Sequence, residues 1–349
     1  MTAREDVPSP APSLPRVAGL VVVDKPLGWT SHDVVSRMRR LAGTRKVGHA
    51  GTLDPAASGV LVLGVEKATK LLTYVTGADK TYETTIRLGA ATITDDAEGD
   101  IVRQAPPERL EALTEEQIRA AVGELTGEIQ QVPSSVSAIK VNGERSYARV
   151  RKGEDVELAA RPVTVREFTV HTVTRPEDTA AVDVTATVTC TSGTYIRALA
   201  RDLGEALGVG GHLTALRRTR VGSFTLEQAH TVEELAEQVR AGDTVSTLPL
   251  DDAARGLFPV RELSAAQATD LSHGRRIAAA GETLAGSGDS GDGVVACFAP
   301  DGTLVALAEE RGRGEKRYAT SVLGIAAGVT FTDPAEASTG NESGAEGES

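Results

Sequence analysis

One stretch of the chain combines residue types that can do chemistry. Residues 46–59 hold a histidine, His49, a carboxylate, Asp54, and three glycines, Gly48, Gly51 and Gly59. Pro55 disfavours the helical region for the residue before it, so the Asp54 carboxylate is expected on extended or turn backbone. The glycines allow positive φ or the close approach of a ligand. The pattern is typical of a loop that presents a carboxylate to a substrate, or of a tight turn in which Asp54 bonds to its own backbone.

A carboxylate such as that of Asp54 can act as a covalent nucleophile if the protein keeps it ionised and oriented. An arginine beside it would lower its pKa by roughly 1–3 units, and Arg197, just after the turn at 191–193, is a candidate for that partner. The sequence has no Walker loop, no serine in a nucleophile elbow and no histidine pair at metal-binding helical spacing. The residues therefore favour a carboxylate site that uses neither a metal nor an organic cofactor.

The elements that would hold this loop are located from hydrophobic periodicity and helix caps. Alternating or β-branched runs predict strands or extended segments at 19–23, 81–88, 163–173, 181–190, 213–224, 293–298 and 304–308. Caps predict helices that begin near Thr30, Thr114, Thr194 and Thr231, and a short helix is predicted at 146–151. Strands and helices alternate irregularly, with several hairpin-like strand pairs. This favours an α+β fold with a mixed, mainly antiparallel sheet.

The chain is long enough, at 349 residues, for two domains. A segment rich in proline and serine at 1–17 is expected to be disordered. We expect a larger domain at 18–250 and, where the composition changes, a small β-rich domain at 251–330. The acidic segment at 331–349, rich in glycine and serine, is again expected to be disordered.

The net charge of −12 by itself argues against a nucleic-acid partner, but the charges are unevenly distributed. Acidic residues concentrate at 332–349 and at 95–100, where the glycine that an EF-hand loop requires is missing, so we interpret the latter as an acidic turn. Basic residues concentrate at 37–46, 140–152 and 197–220. If these three segments meet in space they form a basic face suited to RNA; otherwise they are ordinary solvated surfaces.

Secretion and membrane insertion find no support in the sequence. The two cysteines, Cys190 and Cys297, match no metal or redox spacing and fit a reducing compartment. The first residues contain no apolar signal segment, and no apolar run approaches the length of a membrane span. These features predict a cytoplasmic protein without a membrane partner.

Four separated motifs resemble, in order, those of the TruB-type tRNA pseudouridine synthases. They are VDKPLGWTS at 23–31, KVGHAGTLDP at 46–55, KTY at 80–82 and SGTYIR at 192–197. The resemblance covers residues 18–225 and is weaker beyond, where it loosely suggests a PUA-like RNA-binding domain. It implies a catalytic domain of the pseudouridine-synthase type at 18–250. It also implies an enzyme that isomerises uridine 55, in the T-arm loop of tRNA, to pseudouridine without a cofactor.

The same resemblance implies roles for single residues. Asp54 would be the nucleophile and Arg197 its ion-pair partner. Tyr82 would stack on the target base and serve in proton transfer at C5. Stacking on an aromatic ring returns roughly 1–3 kcal/mol per base, against a few kcal/mol for extruding a base from a folded loop. Each residue also has a purely structural alternative. Tyr82 would then be a core tyrosine of a strand, and Arg197 would be a surface residue of a helix.

Three further residues would bind the substrate. His49 would hold the loop nucleotides after the base has flipped, and Tyr195 and Leu216 would line the uridine pocket. His49 could instead satisfy only a hydrogen bond within its loop. Leu216 could be only a core residue, because lining a pocket and packing are hardly separable for leucine.

Two other functions stay open from the sequence. The chain could be an RNA chaperone that folds tRNA without catalysis, or a guide-RNA-dependent, dyskerin-like pseudouridine synthase inside a ribonucleoprotein. The absence of long lysine-rich segments favours a stand-alone enzyme, which we expect to act as a monomer without a protein partner. The T-arm stem-loop of tRNA is then its expected partner.

Overall fold

The computed structural model describes residues 18–134, 140–141, 144–145, 158–177, 179–280 and 293–333. The segments expected to be disordered lie outside these ranges, apart from residues 331–333. The short helix expected at 146–151 lies outside them as well. Within the described ranges no helix is long and apolar enough to cross a membrane.

Strands and helices follow one another irregularly along the described chain. The strands are β1 (Gly19–Lys25), β2 (Val47–Ala50), β3 (Ala57–Val65), β4 (Lys80–Leu88), β5 (Ala90–Thr92), β6 (Ile101–Gln104), β7 (Gly127–Gln131), β8 (Lys140–Val141), β9 (Glu144–Arg145), β10 (Arg161–Thr174), β11 (Val182–Cys190), β12 (Gly211–Val221), β13 (Phe224–Thr225), β14 (His230–Thr231), β15 (Leu248–Pro249), β16 (Val260–Glu262), β17 (Ile277–Ala278), β18 (Val294–Phe298), β19 (Leu304–Arg311) and β20 (Tyr318–Gly324). The α-helices are α1 (Ser31–Leu41), α2 (Leu72–Gly77), α3 (Pro107–Glu111), α4 (Glu115–Glu124), α5 (Ile196–Ala206), α6 (Val232–Arg240), α7 (Leu250–Leu257) and α8 (Ala265–Ser272). Short 3-10 helices cover Glu66–Leu71, Leu226–Gln228 and Gly314–Lys316.

The larger sheet has 11 strands in the described part of the chain. Its main path runs β14-β1-β3-β12-β4-β11-β10-β7, with β2 beside β3, β13 beside β12 and β15 beside β1. Most neighbours are antiparallel, whereas β1 and β14 are parallel, as are β3 and β12. The predicted α+β fold with a mixed, mainly antiparallel sheet is confirmed.

The first strand shows how the sequence pattern produces this sheet. Leu20 and Val22 enter one hydrophobic core, whereas Val21 and Val23 enter another on the opposite face. A strand that is covered on both faces is apolar throughout, which explains the continuous run in β1. In β4 burial alternates along the strand, as its alternating sequence predicts.

The candidate loop connects β2 to β3. Because β3 lies between β1 and β12, the loop is anchored in the middle of the sheet. Gly51 and Gly59 have φ values of +77° and +105°, the left-handed region that favours glycine. Gly48 has no positive φ; a Cβ at this position would stand 3.0 Å from Cδ1 of Leu72, so its small size serves packing.

The C-terminal residues form a second sheet. It has five strands in the described part of the chain, in the order β16-β18-β19-β20-β17, and β18 and β19 match the predicted strands. Phe298 and Leu307 from this sheet share a hydrophobic core with Val22 of β1. Nζ of Lys70, in the 3-10 helix after β3, donates to the carbonyl of Gly324 at the end of β20, at 2.9 Å. The smaller sheet is therefore packed firmly against the larger one.

Candidate active site

Asp54 and Arg197 are in contact. Asp54 lies in the loop between β2 and β3, and Arg197 lies in the first turn of α5. Nη2 of the arginine is 3.0 Å from Oδ2 of the aspartate. The arginine side chain is 8% exposed and the aspartate side chain is 42% exposed. A buried guanidinium thus orients a carboxylate that remains accessible to a ligand.

A second carboxylate, that of Asp96, fixes the same guanidinium. Nη1 of Arg197 is 3.3 Å from Asp96 Oδ2 and donates to the carbonyl of Thr94 at 3.1 Å. The neighbouring Asp95 pairs with Arg201 at 3.3 Å. Burial raises the pKa of Asp95, and the charge of Arg201 opposes that rise. The acidic turn is therefore part of the scaffold of the site, because two of its carboxylates are buried against α5.

The helix that carries Arg197 begins without a side-chain cap. Its N-cap residue, Tyr195, donates its N–H to Oε1 of Gln131 at 2.8 Å, and its carbonyl accepts Nε2 of Gln131 at 3.1 Å. The side chain of Gln131, which is distant in sequence, thus holds the start of the helix. The hydroxyl of Thr194, which the sequence predicts to cap the helix, donates instead to the carbonyl of Thr191. Tyr195 itself is half-buried.

Tyr82 lies in the interior of the protein. The residue is 7% exposed and packs in the core that also holds Leu53 and Val188. Burial raises the pKa of its hydroxyl; the Arg218 side chain opposes the rise, and the charge of Asp54 adds to it. Tyr82 is therefore near both charged groups and carries a protonated hydroxyl at neutral pH. Stacking of its ring on a base stays a prediction.

Two buried cations near the loop have no role predicted from the sequence. The side chain of Arg218, on β12, is among the largest fully buried ones. Nζ of Lys25, at the end of β1, donates to the carbonyls of Pro26 at 2.9 Å and Trp29 at 2.6 Å. Burial lowers the pKa of Lys25 to about 8, while the charge of Asp54 raises it and that of Arg218 lowers it. The sequence does contain an indication that Arg218 lies near the site. Arg218 follows Leu216 by two positions, and residues at this spacing share a face of a strand.

His49 lies on β2, and its ring packs edge-to-face against that of His32 with 5.8 Å between the centroids. Burial lowers the pKa of His49, and the charges of His32 and Arg218 lower it further. The imidazole is therefore neutral at pH 7. Its Nδ1 is buried and makes no hydrogen bond within the described part of the chain. That His49 holds flipped nucleotides stays a prediction.

Two cavities meet beside the loop. The inner one is lined by Asp54, Asp96, Arg197 and the 213–216 segment of β12. The outer one is a groove of about 550 Å³ over β4, β11 and β12. Leu216 lines both cavities, so the groove leads towards Asp54. The positions of Asp54, Arg197 and Leu216 fit the predicted pocket, whereas Tyr82, His49 and Tyr195 do not line either of these two cavities.

The basic segment at 197–220 does not form a free basic face. Arg197 and Arg218 are buried. Arg201 pairs with Asp95, and Arg217 pairs with Asp24 at 2.7 Å. These cations hold strands and loops together, because their partners come from distant parts of the chain. Most of the basic segment at 140–152 lies outside the described residues.

Models of known protein families match nearly the whole of the described chain. The model of the TruB family pseudouridylate synthase N-terminal domain matches residues 39–196. Models of the tRNA pseudouridylate synthase B C-terminal domain and of the C-terminal region of tRNA pseudouridine synthase II match residues 197–255 and 258–319. A tRNA pseudouridine synthase B from an Arthrobacter species is 64% identical over 308 residues, which cover 88% of this chain and 96% of that relative. The chain belongs to the TruB family of pseudouridylate synthases.

A second TruB-family relative supports the same conclusion. A tRNA pseudouridine synthase B from Paenarthrobacter aurescens is 59% identical over 313 residues, covering 90% of this chain and 96% of that relative. A solved structure of a Cbf5–Nop10–Gar1 complex matches with a TM-score of 0.62 and 27% identity, over 95% of this chain and 91% of that chain. This TruB-family chain therefore has a fold already seen in that solved complex.

Proposed function

We propose that this chain isomerises uridine 55, in the T-arm loop of tRNA, to pseudouridine, with Asp54 as the nucleophile. The observation that carries the proposal is the contact between the accessible Asp54 carboxylate and the buried Arg197 in a TruB-family chain. The relatives at 64% and 59% identity are named tRNA pseudouridine synthase B, and the matches span 96% of each. The proposal therefore rests on the family and on the site together.

The reaction rearranges bonds within one nucleotide. The bond between N1 of uracil and C1′ of the ribose breaks, the base turns, and C5 bonds to C1′. C5 loses a proton and N1 gains one, so no atom or electron is gained or lost overall. A carboxylate can form and release a covalent bond to the nucleotide during these steps. Arg197 keeps that carboxylate in one orientation through a direct ion pair.

The uracil has to leave its loop before it can react. Extruding a base costs a few kcal/mol of stacking, which contacts in the pocket must offset. The groove of about 550 Å³ falls within the size range of ligand pockets and leads to Asp54 past Leu216. We infer that the flipped nucleotide enters along this groove, with Leu216 against its uracil.

The remaining roles are those that the family resemblance implies. Tyr82 stacks on the target base and serves in proton transfer at C5; the charge of Asp54 reaches its hydroxyl. His49, which is neutral at pH 7, offers a ring nitrogen to the displaced loop nucleotides. Tyr195 opens the helix that carries Arg197 and lines the uridine pocket once RNA is bound.

The C-terminal sheet would extend the contact with tRNA. We propose domains at 18–250 and 251–330, with the second acting as a PUA-like RNA-binding module. Its shared core with β1 makes it a fixed part of the RNA-binding surface. The enzyme then acts as a monomer and without a protein partner.

The proposal is tested with purified protein and an unmodified tRNA transcript, followed by site-resolved mapping of pseudouridine. The wild type should modify position 55 without a guide RNA or any other protein. Asp54→Asn should abolish conversion and keep tRNA affinity, because the amide is a poor nucleophile with nearly the same shape. Asp100→Asn, at an exposed aspartate of the acidic turn, is the matched control and should react like the wild type.

Each competing function gives a different result in the same experiment. A guide-RNA-dependent enzyme would leave the transcript unmodified until guide RNA and partner proteins are added. A chaperone would bind tRNA and yield no pseudouridine under any of these conditions. Conversion by Asp54→Asn at the wild-type rate would remove Asp54 as the nucleophile.

A further inference from the structure

We propose that Arg218 is a positioning residue for the isomerisation: its buried guanidinium holds the backbone of the Asp54 loop in one fixed arrangement beside the strand that carries Tyr82. The inference rests on the proposed function, because it concerns the same reaction. It assigns a role to a residue that does not line the cavities beside Asp54.

The register of the sheet places Arg218 between the two groups. Strand β12 lies between β3, which follows the Asp54 loop, and β4, which carries Tyr82. Arg218 is paired with Gly59 on β3 and with Tyr82 on β4. A Cβ at Gly59 would stand 2.1 Å from the carbonyl oxygen of Arg218, so the strands meet here at a distance that only glycine allows. Arg218 therefore lies beside the strand that follows the Asp54 loop on one side and beside Tyr82 on the other.

The guanidinium donates to three carbonyls of the Asp54 loop and its strand. Nε donates to Val60 at 2.7 Å, Nη1 to Thr52 at 3.4 Å and Nη2 to Gly51 at 3.2 Å. The planar fork of an arginine carries donors on three nitrogens and reaches acceptors that lie apart, whereas the donors of a lysine all lie on one nitrogen. Two of these carbonyls precede Asp54 by two and three positions. Their placement therefore sets where the carboxylate stands.

The rest of the loop is held by hydrogen bonds to residues 28 and 31. The hydroxyl of Ser31 accepts the N–H of Leu53 at 2.9 Å, and the N–H of Gly28 donates to the carbonyl of Pro55 at 2.8 Å. These contacts fix the residues on either side of Asp54 against the end of β1 and the start of α1. Without Arg218 the segment at 51–52 would lose its side-chain donors and could shift relative to them.

Tyr82 is the partner of Arg218 across β4 and β12, and the charge of Arg218 opposes the rise in the pKa of the Tyr82 hydroxyl. Within the described part of the chain Arg218 forms no ion pair, and its hydrogen bonds go to backbone carbonyls only. A buried guanidinium without a carboxylate is a costly way to fill a core position. The cost is understandable if the reaction needs Asp54 and Tyr82 to keep fixed positions relative to each other.

The test compares Arg218→Lys with Arg220→Lys. Arg220 is the same residue type on the same strand, half-buried, and bonds to Thr81 and Gly222 away from the Asp54 loop. We measure the single-turnover rate of pseudouridine formation with saturating enzyme, the Kd for tRNA and the thermal midpoint. Arg218→Lys should slow the reaction on the order of 10²-fold, the effect of a misplacement of about 1 Å. Its Kd should stay near that of the wild type, whereas its midpoint should fall because buried carbonyls lose their donors; Arg220→Lys should match the wild type in all three.

Two outcomes would overturn the inference. One is a rate for Arg218→Lys within about threefold of the wild type, which is about 0.7 kcal/mol. The other is a rate that falls only in proportion to the folded fraction, since a purely structural residue would give that result. If Arg218→Lys does not fold, Arg218→Gln is measured in the same way, because it leaves no buried charge. Absence of pseudouridine with the wild type and with Arg220→Lys would instead refute the proposed function.

Discussion

Asp54 and Asp96 share one guanidinium. Nη2 of Arg197 faces the accessible carboxylate of Asp54 at 3.0 Å, and Nη1 faces the buried carboxylate of Asp96 at 3.3 Å. One carboxylate is free to meet a substrate, whereas the other is enclosed. Asp96 therefore fixes the arginine, and the arginine fixes the carboxylate that we propose as the nucleophile.

This relationship predicts the effect of Asp96→Asn. The amide keeps an acceptor but loses the charge that holds Arg197, so the guanidinium should shift and misplace Asp54. We expect the free energy of unfolding to fall by about 1–3 kcal/mol and the single-turnover rate to fall by about tenfold or more. Urea unfolding and pseudouridine formation measure the two effects. Asp100→Asn in the same turn should change neither, and an Asp96→Asn enzyme with wild-type rate would show that Arg197 needs no second carboxylate.

The close contact of β3 with β12 predicts the effect of Gly59→Ala. Alanine would adopt a φ of +105° and place its Cβ 2.1 Å from the carbonyl oxygen of Arg218. Strain and overlap together should lower the free energy of unfolding by at least about 3 kcal/mol. Gly123→Ala is the control, because this helical glycine of α4 has no atom within 4 Å of the added Cβ. The control should stabilise the protein by about 0.5–1 kcal/mol; equal stability of the two variants in urea would contradict the geometry at Gly59.

The buried Lys25 predicts a pH dependence of stability. Its pKa is about 8 in the folded protein, against 10.5 for an ordinary lysine. Between these two pH values the unfolded chain binds more protons, so the wild type gains stability as the pH rises through this window. Lys25→Met lacks the titrating group and should not show this gain. Urea unfolding from pH 7 to 10 measures it, and Lys67→Met, at an exposed lysine, should follow the wild type.

Much of the fold can be predicted from local signals. Capping boxes start α1 after Thr30, α4 after Thr114 and α6 after Thr231, as the sequence predicts. These caps depend on residues three positions apart, so the sequence displays them directly. The helix of Arg197 is the exception, since its first residues are held by Gln131 from a distant strand. No local pattern contains that contact.

The site is harder to predict for the same reason. The motifs that carry Asp54 and Arg197 identify both residues, and the structure brings them into contact. The sequence places Asp96 in an acidic turn and Arg218 in a basic segment, and neither pattern indicates burial, because charged residues are rarely buried. Their burial depends on partners that lie far away in sequence, which composition and periodicity do not reveal. Only the sharing of one strand face by Leu216 and Arg218 points to the interior.

The hydroxyl of Tyr82 gives the last prediction. If it takes the C5 proton as a phenolate, the single-turnover rate should rise with pH towards its raised pKa, because burial keeps the hydroxyl protonated at pH 7. Tyr82→Phe keeps the ring, and it should lower the rate by about 10²–10⁴-fold and remove the rise with pH. The Kd for tRNA should stay near the wild-type value, whereas Tyr82→Leu should also weaken binding, by about 1–3 kcal/mol, through lost stacking. Rates and pH profiles that are identical in Tyr82→Phe and the wild type would assign Tyr82 to stacking alone.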